Sequence, residues 1–268
     1  FKDSIKLEDH KISINYKKNK LEIKGKGLIS IDNKVDHLDY ELNRKNNHYN
    51  FNTTINLEKN SLLLDVLDYK KDKDLQAIVN VSGSYKKNKE IKFNSISLSD
   101  ADANIFAIKG LNLNNEFKIN NINSLDFNYI NKNKNKNQIS LRKNKNKYEI
   151  YGESFDATKL IHKLLNNNEE SPSIFNNLNS KVNIKINKTY LDKVTFMNGL
   201  TGNINFKNNK INQLNLKSLF PNKKKLILTI STNKNNEKIT TLYSDYPMPL
   251  IKQYKFLKGF EEGVLDFY

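Results

Sequence analysis

Few residues of this 268-residue chain have the types and spacing needed for chemistry. The segment Asp100–Asn104, DADAN, has the opening of a calcium-binding loop. However, the sixth position of that loop is Ile105 instead of glycine, and the twelfth is Leu111 instead of glutamate. Cysteine is absent, so neither a disulfide nor a thiolate metal site can form. The four histidines share no metal-ligand spacing with one another or with carboxylates; they are His10, His37, His48 and His162.

The usual sequence motifs of enzymes are also missing. The chain has no nucleophile elbow, phosphate-binding loop or dinucleotide fingerprint. The KGKG run at Lys24–Gly27 lacks the strand–loop–helix context that a phosphate site needs. The adjacent carboxylates Glu169–Glu170 and Glu261–Glu262 are typical of solvated loops rather than of an acid–base pair. We therefore expect no enzyme activity, no metal and no cofactor.

The elements that would position any site are mostly strands. Apolar and polar residues alternate along much of the chain, which indicates strands with one apolar face and one wet face. In HYNFNTTINLE, for example, Phe51 and Ile55 share a face. In IKFNSISLS the alternation shifts phase between Phe93 and Ile96, which predicts a β-bulge. The fold class is therefore expected to be mainly β, built from successive antiparallel hairpins.

Two segments break the alternation and predict short helices. In SFDATKLIHKLLNNN, either Ser154 or Asp156 is the expected N-cap of the first helix. The second helix is expected near 247–258, with Gly259 as its stop, followed by the start of a further strand at Val264. The domain prediction is a first β block over 1–165 that ends in the first helix, a polar linker over 166–180, and a second β block over 181–268.

The formal net charge of +16 raises the hypothesis of nucleic-acid binding. Against it, Arg44 and Arg142 are the only arginines, and arginine is the side chain favoured for bidentate contacts with phosphate and guanine. The lysines cluster in short polar segments where hairpin turns are expected, so we interpret them as solvated turns and expect no nucleic-acid partner. These segments are Tyr16–Lys20, Tyr69–Asp74, Tyr85–Glu90, Asn131–Asn137, Arg142–Lys147 and Pro221–Lys225.

The apolar face poses the main functional question. A sheet of this length is not expected to leave one apolar side in water. It can fold over into a sandwich, close into a barrel, or curl into a trough that something apolar fills. The residues alone leave these alternatives open.

A resemblance favours the trough. The closing stretch, SDYPMPLIKQYKFLKGFEEGVL, resembles the S-D-D-A-G-x-L-L-x-x-L-G-x-Y-x-x-x-x-G-G-x-L segment of bacterial AsmA-like envelope proteins of the YhdP/TamB type. The family's central glycine is replaced around Met248–Pro249, and its paired glycines are reduced to Gly263. The matching positions are Ser244, Asp245, Leu250, Ile251, Leu257, Gly259 and Gly263. The stretch YGESFDATKLI resembles the family's G-x-S-x-D-x-x-x-L segment through Gly152, Ser154, Asp156 and Leu160. The resemblance covers most of 148–268 and, by strand rhythm, the rest.

The resemblance implies a fold and a function. The fold would be a long antiparallel, strongly twisted sheet curled into an open groove, with two short helices. The function would be that of a segment of a bridge-like lipid transport protein, anchored in the inner membrane and extending through the periplasm. Its groove would conduct phospholipid acyl chains between the inner and outer membranes. The chain would then be a fragment of a longer protein, whose sheet continues beyond Val264.

The implied partners are phospholipids or other acyl lipids, with lysines at the strand ends attracting anionic head groups. A closed β-sandwich or solenoid that serves as a scaffold or adhesion module of the cell envelope, without lipid cargo, is the alternative. The residues predicted to line the groove are Phe51, Ile55, Phe93, Phe127, Ile184, Phe206, Leu216 and Leu228.

Overall fold

The computed structural model describes residues 5–31, 33–87, 89–159, 161, 175–235, 237–254 and 264–267. The chain is mainly β, as predicted, with 70% of the described residues in strands. It forms two compact units, 1–132 and 133–268. Among the described strands no closed barrel forms.

Among the described elements, the first unit holds strands β1–β11, and the second holds β12–β19 and helix α1. The first-unit strands are β1 (Ile5–Lys17), β2 (Lys20–Ile31), β3 (Lys34–Lys45), β4 (His48–Leu57), β5 (Leu62–Leu64), β6 (Tyr69–Lys71), β7 (Ala77–Lys86), β8 (Glu90–Asp100), β9 (Ile105–Asn114), β10 (Ile119–Asn121) and β11 (Ser124–Ile130), with a 3₁₀ turn at Asp65–Leu67. The second-unit elements are β12 (Lys136–Asn144), β13 (Lys147–Asp156), β14 (Ser180–Tyr190), β15 (Phe196–Lys207), β16 (Lys210–Leu219), β17 (Lys225–Thr232), β18 (Lys238–Ser244), α1 (Met248–Tyr254) and β19 (Leu265–Phe267).

The first unit is an antiparallel meander. Strands β1, β2, β3, β4, β7, β8 and β9 pair in that order, and β10 and β11 both pair with β9. The β5–β6 hairpin is inserted between β4 and β7. Ser82 pairs with Ser95 and Gly83 with Phe93, so Asn94 is an extra residue in β8. This confirms the β-bulge predicted between Phe93 and Ile96.

The second unit departs from the predicted antiparallel pattern at one pair. Strands β13 and β14 pair in parallel, whereas the other pairs from β12 to β19 are antiparallel. The expectation of a wholly antiparallel sheet is therefore wrong here. Parallel neighbours need a crossover of a dozen or more residues, and the chain between Asp156 and Ser180 is long enough to provide it. The predicted linker over 166–180 falls in this crossover and lies mostly outside the described residues, so the division into 1–165 and 181–268 stays a prediction.

The two predicted helices are described only in part. After β13, the N–H of Thr158 donates to Asp156 Oδ1 at 3.0 Å, which makes Asp156 the capping residue at this point. The other candidate cap, Ser154, lies within β13. Helix α1, Met248–Tyr254, lies in the range predicted for the second helix. Positions 160, 162–165 and 255–258 of the two predicted helices lie outside the described residues.

Candidate functional site

The strand registers of the first unit bring its apolar positions onto one face. Phe51 of β4 lies opposite Leu42 of β3 and Gly83 of β7, and Gly83 lies opposite Phe93 of β8. One cross-strand row comprises Ile14, Ile23, Leu42, Phe51, Gly83, Phe93 and Leu111. A second cross-strand row runs beside the first on the same face and comprises Gly27, Leu38, Ile55, Val79, Leu98, Phe106 and Phe127. The four lining residues predicted in this unit therefore share the face.

Glycines on this face make room for aromatic rings. The rings of Phe51 and Phe93 lie 5.9 Å apart in an edge-on arrangement on either side of Gly83. A Cβ atom at Gly83 would lie only 2.8 Å from Phe51 Cζ and would overlap the carbonyl oxygen of Lys92. Likewise, a Cβ atom at Gly25 would lie 2.5 Å from Tyr40 Cε1. The sequence reasoning missed these glycines, although each interrupts an otherwise regular apolar alternation.

The apolar face is partly accessible. Phe51, Ile55, Phe93 and Phe127 are each half-buried. The edge strand β1 exposes the same face further, since Ile14 keeps 65% of its surface exposed. Apolar side chains that neighbouring strands leave partly exposed on one face can form a binding surface. The face can therefore offer contacts to an apolar ligand over several strands.

One end of the face is covered by the chain itself. Residues 58–76, here termed the cap, connect β4 to β7 and pack on the sheet. Tyr69 of the cap is 1% exposed, and its ring centroid lies 4.6 Å from that of Phe106. Its hydroxyl donates to Asp100 Oδ2 at 2.5 Å. Phe127 packs against this covered cluster, whose buried members are Tyr69, Leu98, Phe106 and Tyr129.

The cap corrects one interpretation of the lysine clusters. The sequence predicts a solvated turn over Tyr69–Asp74, but Tyr69–Lys71 is strand β6 and Lys71 is 0% exposed. Its Nζ donates to the carbonyl oxygens of Glu58 at 3.1 Å and Asn60 at 2.6 Å. Burial lowers the pKa of Lys71. The available signal was the run Leu62–Leu64, which is apolar without alternation.

Asp36 of β3 anchors the start of the cap. Its carboxylate accepts hydrogen bonds from the backbone N–H groups of Glu58 (2.7 Å), Lys59 (2.9 Å) and Asn60 (3.1 Å), and from Asn60 Nδ2 (2.8 Å). Burial by itself raises the pKa of Asp36, but these donors together outweigh it and hold the pKa below its ordinary value. The folded cap therefore favours the ionised carboxylate.

Replacing Asp36 with asparagine should lower the free energy of unfolding by about 1.5–3 kcal/mol at neutral pH. The amide oxygen can still accept from Glu58 and Lys59, but the negative charge is lost and the two donors of Asn60 lose their acceptor. The pKa of Asp36 is lower in the folded state than in the unfolded state, so its ionisation stabilises the fold at pH values above the unfolded-state pKa of ~3.9. This stabilisation is lost as the pH falls through the folded-state pKa. The difference between wild type and Asp36→Asn should therefore shrink below pH ~4. Urea unfolding at several pH values measures it.

The matched control is Asp39→Asn on the same strand. Asp39 faces the other side of the sheet, and its half-exposed carboxylate lies 3.7 Å from Lys26 Nζ. An exposed ion pair contributes only ~0–1 kcal/mol. Equal losses for the two variants at neutral pH would contradict the role given to Asp36.

The second unit has its own apolar row. Ile184 of β14 lies opposite Gly202 of β15, Gly202 opposite Leu216 of β16, and Leu216 opposite Leu228 of β17. Three of the four lining residues predicted in this unit are thus aligned around a glycine, and each is half-buried. Phe206, also half-buried, lies further along β15, opposite Ser180 on one side and Ile211 on the other.

One end of the second sheet is also filled by its own side chains. Helix α1 contributes Leu250, which is 5% exposed, to a cluster with Phe220, which is 1% exposed. A cavity of about 720 Å³ lies beside this cluster and is lined in part by Phe196, Tyr246 and Met248. The buried members of the cluster are Leu191, Met197, Phe220 and Leu250.

Within the described part of the chain, no three His, Asp or Glu side chains are placed to hold a metal ion. No described helix has the length and apolar character of a membrane span. No family model, curated protein or solved structure shows significant similarity to this chain. The AsmA-like resemblance of the sequence therefore stays a prediction.

Proposed function

We propose that the apolar sheet faces bind the acyl chains of lipids and that this chain is a segment of a lipid-conducting groove. One observation carries the proposal: the apolar positions of consecutive strands are in register, and several of them, including Phe51 and Phe93, are only half-buried. In this proposal the sheet of each unit curls into an open groove. In the proposal, the first of the two expected helices follows β13, where the crossover to β14 begins, and the second precedes the last strand, β19.

The energetics of the apolar face favour acyl chains as ligands. Burying each CH₂ group of a lipid tail gains ~0.8 kcal/mol. The row through Phe51 and Phe93 offers such burial across successive strands without a single tight site. Passage of a tail along the face requires a continuous apolar surface and no catalytic residue. The proposed activity is therefore transport without catalysis.

The cellular setting follows from the resemblance alone. In the proposal, the chain belongs to a protein anchored in the inner membrane and located in the periplasm. Its cargo is phospholipids or other acyl lipids that pass between the inner and outer membranes. The fold and the apolar rows are compatible with this setting, which rests on the AsmA-like motifs around Ser244–Asp245 and Gly152–Asp156.

Photo-crosslinking of the 268-residue chain tests the proposal. A photoreactive phenylalanine analogue at Phe51 or Leu216 should form adducts with phospholipid supplied as vesicles, because both positions lie on apolar rows. The matched controls are Asn52 and Lys217, the exposed neighbours whose side chains point to the opposite faces. Mass spectrometry detects the adducts. Equal labelling at apolar and control positions, or none at Phe51 and Leu216, would refute lipid binding by these faces.

The alternative is a scaffold or adhesion module without cargo. The observation in its favour is that the cap and helix α1 each fill part of an apolar face with the chain's own side chains. Under this alternative the remaining apolar residues would contact other protein. Crosslinks from Phe51 to protein in place of lipid would favour it.

A further inference from the structure

The topology of the first unit collects its basic turns at one end of the sheet. Because β1–β4 and β7–β9 are antiparallel neighbours, alternate turns lie at the same end. The end away from the cap, here termed the basic end, comprises residues 16–21, 44–49, 85–87, 89–91 and 113–119. These segments carry nine Lys or Arg and two Glu.

The opposite end of the same sheet has the opposite charge balance. Its described segments, 33–36, 58–76, 100–104 and 131–132, carry eight Asp or Glu and six Lys. The two ends therefore present different electrostatic surfaces. An anionic partner is attracted to the basic end and disfavoured at the capped end.

Like charges face one another across the strands of the basic end. Lys17 lies opposite Lys20, and Lys20 lies opposite Lys45. Further along, His48 lies opposite Lys45 and Lys86, and Lys86 lies opposite Glu90. Directly opposed like charges destabilise a sheet, so this row gains stability when an anion neutralises it. Among the described residues, Lys17, Lys20, Lys45 and Lys86 form no ion pair within the chain.

Aromatic side chains are displayed among these cations. Phe117 is 71% exposed and has a φ of +60°, a conformation that is uncommon for a bulky residue. Asn114 fixes this turn, since its Oδ1 accepts from the N–H groups of Glu116 at 3.0 Å and Lys118 at 2.8 Å. Tyr16, which is 67% exposed, lies at the same end.

We propose that the basic end of the first unit docks on the surface of an anionic lipid bilayer. Lysines near a bilayer are attracted to anionic head groups, and aromatic side chains favour the interfacial region. The hairpin tips would contact the head groups, with Phe117 and Tyr16 entering the interface. Nucleic acid is the less favoured occupant, since eight of the nine cations of the basic end are lysines.

Vesicle co-sedimentation of the 268-residue chain tests this docking. Vesicles of equal parts phosphatidylglycerol and phosphatidylcholine should bind the chain at least about tenfold more tightly than vesicles of phosphatidylcholine alone. The variant K20E/K45E/K87E reverses three exposed charges at the basic end and should weaken binding to the anionic vesicles by about tenfold or more. Phe117→Ser should weaken it by roughly threefold to tenfold.

The matched control reverses three exposed lysines at the capped end of the same unit, K34E/K73E/K132E. Its binding should stay within about twofold of wild type, and circular dichroism checks that each variant is folded. Equal losses for the two triple variants would indicate non-specific charge attraction and overturn the proposal. Equal binding to both vesicle types would also overturn it. So would binding to a single-stranded RNA of about 20 nucleotides without binding to vesicles.

Docking is separable from the proposed function, because co-sedimentation requires no lipid on the apolar face. Vesicle binding without crosslinks at Phe51 would keep the docking surface and reject the conduit. Crosslinks at Phe51 with vesicle binding unchanged in K20E/K45E/K87E would keep the conduit and reject the docking surface.

Discussion

Replacing Tyr69 with alanine is expected to lower the free energy of unfolding by about 3–5 kcal/mol, the range for truncating a large buried aromatic side chain. Tyr69 is 1% exposed and packs edge-on against Tyr129 at a centroid distance of 5.9 Å. Its loss leaves a cavity between the cap and the sheet and removes a hydrogen bond to Asp100. Guanidinium unfolding of the full chain measures the change.

The conservative variant Tyr69→Phe separates packing from hydrogen bonding. It keeps the ring and removes the hydroxyl group, so the expected loss is only about 1–3 kcal/mol. A loss below about 1 kcal/mol for Tyr69→Ala would contradict the claim that the cap packs on the sheet through Tyr69.

Loosening the cap also has a functional consequence. Phe127 packs against the cluster beneath the cap, whereas Phe51 is not part of that cluster. In the Tyr69→Ala variant, lipid crosslinking from a photoreactive residue at position 127 should rise, and crosslinking from position 51 should stay constant. An unchanged ratio would mean that the cap does not limit access to the apolar face.

Replacing Gly202 with alanine is expected to destabilise the second unit by roughly 4 kcal/mol. Gly202 has a φ of +152°, a conformation that side chains rarely adopt, and strained backbone of this kind costs ~1–3 kcal/mol. An added Cβ would overlap the carbonyl oxygen of Asn215 and lie 2.9 Å from the Cα of Leu216. Overpacking adds ~1–3 kcal/mol. Urea unfolding measures the loss.

A glycine on the same strand provides the control. Gly199 has a φ of +63°, but a Cβ atom there would have no neighbour within 4 Å. Gly199→Ala should therefore cost only ~1–2 kcal/mol, the strain of a left-handed conformation. If Gly202→Ala were no more destabilising than Gly199→Ala, β15 would not pack closely against β16 at Gly202, and the structure at the centre of the apolar row would be contradicted.

The alternation of the sequence predicted local features well because side chains on a strand point to opposite faces with a period of two. Phe51 and Ile55 share a face as expected, and the phase shift between Phe93 and Ile96 marks a real bulge. The capping role of Asp156 is equally local, since a side chain two residues away from Thr158 supplies the acceptor.

Contacts between distant parts of the chain were beyond such reasoning. Tyr69 and Lys71 lie in a sequence typical of an exposed turn, yet both are buried. Tyr69 is buried against Phe106 and Tyr129, which come from strands much later in the chain. Tyr69, for example, bonds to Asp100, 31 residues later. The parallel pairing of β13 and β14 depends likewise on a crossover that leaves no periodic signal in the sequence.

By itself, the sequence determined that this protein is mainly β, that its strands have one apolar face, and that clusters of lysine mark several of its hairpin turns. Only the tertiary structure decided which turns meet at one end of the sheet, and that the cap covers the other end of the face. The physical reason is range. Alternation and turn chemistry act between residues a few positions apart, whereas strand order, register and the placement of the cap depend on packing between residues far apart in the chain.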